Sequence, residues 1–443
     1  MQKAPSPSAQ SSQGHVNQAR THVRWWFCLL AFLATMIIYS DRQFLSLLKP
    51  TLANEIHWTD SQFGLVSSCF LGAYALGLIA FGWFIDRVGV RIGYATSLVL
   101  WSIVEAAHAL LGSVNGFVAG RIFLGITEGG NFPAAVKVIA QWFPKSERAL
   151  ATALFNSGAN VGAVGAPFFI AWLLEHGTWR SPFYIAGAAG IVWVVAWLFF
   201  YVHPRESRAV SPAELAWIEG DQTAEEAAST ERIPWLRLLT LRQTWSFVVA
   251  KFMTDPVWFF LLIWLPDYFK KTRDLDIKHS WPLLVTVYSI VTVLSIAGGW
   301  VTGYLVRIGW SVTRARKTGM FCFALLVVPI LAVGALGNWP AVCLLGLAGA
   351  AHQAWSANLM TTVSDMFPKR DVGSVIGLGS TGGALGSMTF IYLCGVIVQG
   401  YGDNSAAGYH VLFIYCACAY LIAFVLNHLL APRFEPIHVK ASE

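Results

Sequence analysis

The stretch FPKSERALATALFNSGANVG, Phe143 to Gly162, returns later in the chain as FPKRDVGSVIGLGSTGGALG, Phe367 to Gly386. The offset is 224 residues in a chain of 443, so the sequence predicts two copies of one fold unit. In each copy a Phe-Pro-Lys turn leads into a helix-like stretch with small residues recurring at Ser157, Gly158 and Gly162, and again at Thr381, Gly382 and Gly386. That spacing lets two helix backbones approach closely in a membrane, where packing rather than hydrophobicity holds helices together.

The composition around the repeat agrees with a membrane solvent. Charged residues make up 12% of the chain and hydrophobic ones 56%, where an ordinary soluble domain carries about 25% charged residues. A hydrocarbon core of about 30 Å takes roughly 20 apolar residues per helical crossing. Twelve segments meet that requirement: 25–47, 62–85, 92–112, 116–142, 149–174, 182–202, 244–268, 281–305, 317–337, 340–365, 372–398 and 408–431. The expected fold is therefore an all-α membrane protein of twelve transmembrane helices in two pseudo-symmetric six-helix halves, 23–202 and 244–431. A cytoplasmic linker, 203–243, joins them. Residues 1–22 are rich in Ser and Gln without an apolar core and read as a disordered cytoplasmic tail with no cleavable signal peptide; 432–443 form a second cytoplasmic tail. Two such halves can rock about a site at their interface, the architecture of secondary transporters.

Charge placement gives the orientation. Tails and even-numbered connections hold 20 Lys and Arg against six in the odd-numbered ones, which puts both termini in the cytoplasm. These loops account for the net charge of +6, so it is no argument for a nucleic-acid partner. The seven cysteines lie in or beside apolar spans and do not describe a disulfide framework. Cys416 and Cys418 have no His or carboxylate neighbour to complete a metal site, and no nucleophile-base pair appears in the spans, so neither a metal centre nor an enzyme is expected. The chain has no Gly-Lys pair and hence no phosphate loop; uphill transport would need an ion gradient, with protons as the coupling ion and no cofactor. Gly377, Gly379 and Gly382 spell GxGxxG, but no strand precedes them, and helix packing is the better reading. In the linker, Ser211, Pro212 and Glu214 form a capping-box start for a short surface helix over about 212–228, with a solvated charged face.

The turn GWFIDRVGVR, residues 82–91, supplies Gly82, Asp86, Arg87, Gly89 and Arg91 at the cytoplasmic mouth. Its spacing resembles the signature of the major facilitator superfamily, where such a turn implies a charge latch closing the inward end. The second half reads GWVTGYLVR from Gly299, with Gly303 in place of Asp86, so the latch would be one-sided. Five further stretches narrow the resemblance: YSDRQFLS from Tyr39, FLGAYALG from Phe70, RIFLGITEGGNFPAA from Arg121, KFMTDPVWFFLLIWLPDYF from Lys251 and AHQAWSANL from Ala351. They look like the anion:cation symporter branch and, within it, the bacterial hexuronate transporters, over roughly 25–431. The sequence departs from many of these relatives at Leu78 and Ile79, where they carry Gln-Pro. The resemblance implies that Arg42 and Tyr74 help hold a sugar-acid carboxylate.

The residues themselves argue the same way. A charge at mid-membrane costs about 2.5–3.5 kcal/mol even on lenient scales and marks function by default. Asp41, Arg42, Arg121 and Glu128 are four such charges in the first half, and Arg121 and Glu128, seven apart, share a helix face. Two cations among two carboxylates are neutral when empty, so an incoming anion would favour protonation of a carboxylate; Asp41 and Glu128 are the expected proton-coupling residues, with Arg42 and Arg121 on the anion. Gly129 and Gly130 follow Glu128, and Pro133 lacks the N–H that would bond the Gly129 carbonyl, so the helix is expected to loosen there.

Polar partners for substrate hydroxyls are expected from the second half at His352, Gln353, Trp355, Asn358, Ser380 and Thr381, with aromatic packing and interhelical bonding equally open for this group. His352 stands at the repeat position of Glu128. Lys251 and Asp255 are four apart and read as a local pair beside a bend at Pro256. Lys137 reads as snorkelling, and Glu105 with His108 as a self-satisfied pair. The expected activity is proton-coupled import of a hexuronate, glucuronate or galacturonate, through the bacterial inner membrane by a monomer. The alternatives are an aldonate such as galactonate or another small organic anion, or a passive facilitator or sensor of the same fold.

Overall fold

The computed structural model describes residues 21–219 and 235–437. Among these residues there are only helices and connections. The first half contains α1 (Arg24–Ile56), α2 (Asp60–Val88), α3 (Val90–His108), α4 (Val114–Glu128), α5 (Asn131–Trp142), α6 (Lys145–His176) and α7 (Ser181–Phe200). Two short helices follow, α8 (Pro212–Glu219) and α9 (Trp235–Leu238). The second half contains α10 (Arg242–Ile263), α11 (Leu265–Arg273), α12 (Ile277–Arg307), α13 (Val312–Val327), continued by a 3-10 stretch (Val328–Ala335), α14 (Asn338–Met366), α15 (Lys369–Gly400) and α16 (Ser405–Leu430).

Ten helices among the described residues are long and apolar enough to cross a membrane. The two expected segments outside that set have local reasons for it. Segment 116–142 is split into α4 and α5, each too short alone, and α14 interrupts its apolar run with His352, Gln353, Asn358 and a cluster of hydroxyls. Segment 244–268 is likewise divided, at Trp264, and α10 carries Pro256 inside it.

The small residues of the repeat pack as their spacing requires. A Cβ on Gly158 of α6 would sit 2.4 Å from the Phe32 carbonyl oxygen of α1, and one on Gly386 of α15 would sit 2.1 Å from that of Phe252 in α10. Each half thus repeats the same backbone-to-backbone crossing. Gly379, from the rejected dinucleotide pattern, is filled in the same way by the Phe247 ring.

The two halves meet along α2 and α15 and along α6 and α12, and they meet unevenly. Where α2 begins and α15 ends, a Cβ on Gly395 would lie 2.4 Å from the Asp60 carbonyl oxygen, and Gln399 Oε1 accepts from the Ser61 N–H. Charges finish the seal: Lys49 of α1 bonds both Asp60 and Asp267 at 2.8 Å, Lys271 also pairs with Asp60, and the Tyr409 hydroxyl donates to Asp267 at 2.6 Å. At the opposite end, which holds the start of α1, added Cβ atoms on Gly82 of α2 and on Gly373 and Gly377 of α15 would meet nothing within 4 Å. The bundle is closed at one end and splayed at the other.

The linker helix corrects one expectation. Ser211 Oγ does cap the Glu214 N–H, and α8 starts at Pro212; its expected continuation past Glu219 lies outside the described residues. Glu214, however, is not on a solvated face. It is fully buried and accepts from Arg24 Nη1 at 2.8 Å and from Thr21, while Arg24 Nε reaches Glu147 of α6 at 2.9 Å. Burial pushes this carboxyl up, but the bonds from Thr21 and Arg24 win and hold it below the usual carboxylate range.

Candidate functional site

The break between α4 and α5 fixes the site. Gly129 is pressed against α2 so closely that a Cβ would lie 2.3 Å from the Gly77 carbonyl carbon, and the α4 ladder ends at Glu128. Asn131 then opens α5 and ties the break to its neighbours: Tyr94 of α3 donates to its Oδ1 at 2.6 Å, and its amide donates to Thr35 of α1 at 3.3 Å. Irregular backbone at membrane depth is tolerated where it is buried in protein or lines a cavity. The consequence is a carboxylate at a helix end, held against α1.

On α1, Arg42 Nε bonds Glu128 Oε2 at 2.8 Å. Its guanidinium carbon lies 4.3 Å from the Tyr74 ring centroid, 4.8 Å from Tyr39 and 5.5 Å from Phe70, an aromatic cradle that holds the planar group by cation–π attraction. Asp41, the preceding residue, is fully buried; the Trp101 indole of α3 lies beside it, but neither carboxylate oxygen has a well-formed hydrogen bond from a described residue. Arg121 is 2% exposed, and its Nε and Nη2 are equally unpartnered. It feels the charges of Glu105, Glu128 and Asp41.

Two expectations change here. Glu105 and His108 do not satisfy each other: the closest approach is 4.0 Å, His108 Nδ1 bonds the Val104 carbonyl instead, and both Glu105 oxygens lack a hydrogen-bond donor. The cluster therefore holds three carboxylates, Asp41, Glu105 and Glu128, against the guanidiniums of Arg42 and Arg121, rather than two against two. The i,i+3 spacing of Glu105 and His108 suggested a local pair. Only the rotation of α3 toward α1 and α4 shows where Glu105 belongs.

The second half places its expected polar residues in two groups. His352 Nδ1 is 2.6 Å from the Tyr420 hydroxyl, its ring stacks on Trp258 at 5.7 Å, and Trp355 is fully buried edge-on to Tyr420 at 5.5 Å. Lys251 and Asp255 pair at 2.7 Å beside them, as the spacing predicts, and Asp255 is packed against Gly383 of α15. Gln353 and Ser380 are half-buried, and Thr381 is exposed with its hydroxyl on the Gly377 carbonyl. Asn358 stands apart: its amide donates to the Arg316 carbonyl at 2.9 Å and its oxygen accepts from Arg316 Nη1, which joins α14 to α13. Tyr420 and Trp258 were not legible as site neighbours, since an aromatic residue in an apolar span carries no signal of its own.

At the splayed end, Asp86 is paired with Lys137 of α5, Arg87 lies over the Trp83 ring at 3.8 Å, and Arg91 Nη2 donates to the Leu198 carbonyl at 2.7 Å. Gly89 joins α2 to α3 at φ +84°, a left-handed conformation that favours glycine. These contacts all fall within the first half. Lys137, read from sequence as snorkelling, is thus the partner of Asp86.

A family model described as Major Facilitator Superfamily matches residues 31–390 and 308–443. The chain belongs to the Major Facilitator Superfamily. Its curated relatives include the hexuronate transporter of Escherichia coli K12, 30% identical over 383 residues covering 86% of this chain and 89% of that one. The D-galactonate transporter of Escherichia coli O6:H1 is 29% identical over 89% of this chain and 94% of its own. A probable galactarate/D-glucarate transporter of Bacillus subtilis is 30% identical over 93% and 92%. Among solved structures, an inward-open xylose transporter from E. coli superposes with a TM-score of 0.72 at 14% identity, covering 92% of this chain and 96% of that chain, a likeness of fold. This member of the Major Facilitator Superfamily is a membrane transporter and not an enzyme.

Proposed function

We propose that the protein imports a hexuronate, glucuronate or galacturonate, through the bacterial inner membrane together with a proton, working as a monomer with both termini in the cytoplasm. The observation that carries this reading is the Arg42–Glu128 bond inside the aromatic cradle. A planar guanidinium that already holds one carboxylate is shaped to accept another, and a sugar acid brings one. Once the substrate carboxylate takes Arg42, Glu128 is left as a buried charge without its partner, and protonation relieves it. The loaded cluster then carries no added charge as the halves rock.

His352, Gln353, Trp355, Ser380 and Thr381 would meet the sugar hydroxyls from the second half, and Arg121 would share the anion's charge. The splayed end of the bundle faces the cytoplasm on this reading, in keeping with the excess of Lys and Arg in its loops. The relatives take different sugar acids at near-equal identity, so the cargo is decided by a thermal-stability screen on purified protein. Glucuronate or galacturonate should raise the melting temperature, and glucose and galactose should not. A larger shift from galactonate or from a dicarboxylic sugar acid would reassign the cargo, and equal shifts from the neutral sugars would remove the anion site.

A further inference from the structure

Glu105 is the one carboxylate of the cluster that neither the sugar-acid site nor the latch uses. It sits on α3, one helix behind the α1–α4 pair, with no solvent exposure and no hydrogen-bond donor to either oxygen. The charged groups around it are few. Its own helix offers His108, whose Nδ1 is committed to the Val104 carbonyl and lies 4.0 Å away. From α4 come Arg121 and Glu128, and from α1 come Asp41 and Arg42. Of the other neighbours, α7 has no charged residue, the Lys137 of α5 is paired with Asp86 at the splayed end, and α2 supplies only that Asp86, Arg87 beside it and, at the sealed end, Asp60, which is held by Lys49 and Lys271.

Counting charges leaves an excess. Glu128 occupies Arg42, so Asp41 and Glu105 both have to be balanced by Arg121, a guanidinium whose Nε and Nη2 are themselves unpartnered. One cation neutralises one carboxylate, and a second bare charge in a dry site is strongly disfavoured. We propose that Glu105 and Asp41 share a single proton in front of Arg121, so that Glu105 sets how readily Asp41 is protonated during transport. The pair behaves as two carboxylates sharing one site, where ionising one disfavours ionising the other. The proton enters from water on the side to which the cluster opens, rests on a carboxyl oxygen of either residue, and leaves when Arg121 is offered both carboxylates in the opposite conformation. Glu105 acts here as a positioning residue, through Asp41, and need not touch the sugar acid.

The inference rests on the proton-coupled reading above, and the test separates the two. Uptake into proteoliposomes is measured as a function of external pH for the wild type, Glu105→Gln and Glu105→Asp. Removing the like charge leaves Asp41 alone with Arg121, so half-maximal uptake by Glu105→Gln should move to more acid pH by about one unit. Glu105→Asp keeps the carboxylate and should restore the wild-type midpoint. An unmoved midpoint in Glu105→Gln, in a wild type whose uptake does depend on pH, overturns the shared proton and leaves symport standing. A wild type indifferent to pH overturns symport itself. If Glu105→Gln does not reach the membrane, infrared difference spectra of the wild-type protein decide: a protonated-carboxyl band present in the substrate-free protein at neutral pH supports the shared proton, and its absence rules it out.

Discussion

Arg42 and Glu128 are bound to each other in the structure, and that single contact makes opposite demands on the two side chains. Glu128→Gln imitates the protonated state permanently, so exchange of substrate across proteoliposomes should survive while accumulation driven by a pH gradient is lost. Accumulation at the wild-type rate would exclude Glu128 as a proton carrier and leave Asp41. Arg42→Lys keeps the charge but loses both the fork and the flat face that rests on Tyr74 and Tyr39, so ligand affinity should fall at least tenfold, about 1.4 kcal/mol. Binding measured by calorimetry would show it. Asp41, Arg42, Arg121 and Glu128 were legible one by one because a charge within an apolar run stands out. Glu105 is equally visible, but its place in the cluster is not, since His108 at i+3 offers a local partner that the folded ring, turned to the Val104 carbonyl, declines.

At the scale of the helix, the repeat was the most legible feature, and its glycines separate packing from tolerance. Gly158→Ala would force a methyl to within 2.4 Å of the Phe32 carbonyl, where only backbone movement gives relief, so a loss of about 1–3 kcal/mol and a lower melting temperature are expected. Gly165→Ala, in the same helix with nothing within 4 Å of the new atom, should be neutral or mildly stabilising. The division of segment 116–142 followed from Gly129, Gly130 and Pro133. The ends of α1 and α11 did not: α1 runs nine residues past its expected end, through Pro50 to Ile56, because Lys49 is neutralised by Asp60 and Asp267 from other helices. Hydropathy within one segment carries no record of such distant partners. Asp86, tied to Lys137 of its own half, belongs to this scale too. Asp86→Asn should slow transport while leaving the order of preference among sugar acids unchanged; a changed order, read from competition assays, would move Asp86 into the binding site.

For the molecule as a whole, the governing feature is the uneven contact between halves. The sealed end depends on a small charge network, Lys49, Asp60, Asp267 and Lys271, with Lys49 also resting on the Trp264 ring at 4.4 Å. Lys49→Met removes the centre of that network, so the population should move toward conformers open at this end. Spin labels at Asn54 and Asp403, both exposed near the seal, should report longer distances than in the wild type, and an unchanged distribution would show that glycine packing alone holds the seal. The splayed end has the converse property. Gly82, Gly373 and Gly377 have room around them in this form, whereas the rocking of halves proposed above would bring α2 and α15 together there. A leucine at Gly82 would thus be tolerated in the form described and resisted in the other. Such a chain would retain its ligand site yet stall after one half-turn of the cycle, giving a stationary specimen from which antibodies or inhibitors that recognise a single facing could be selected.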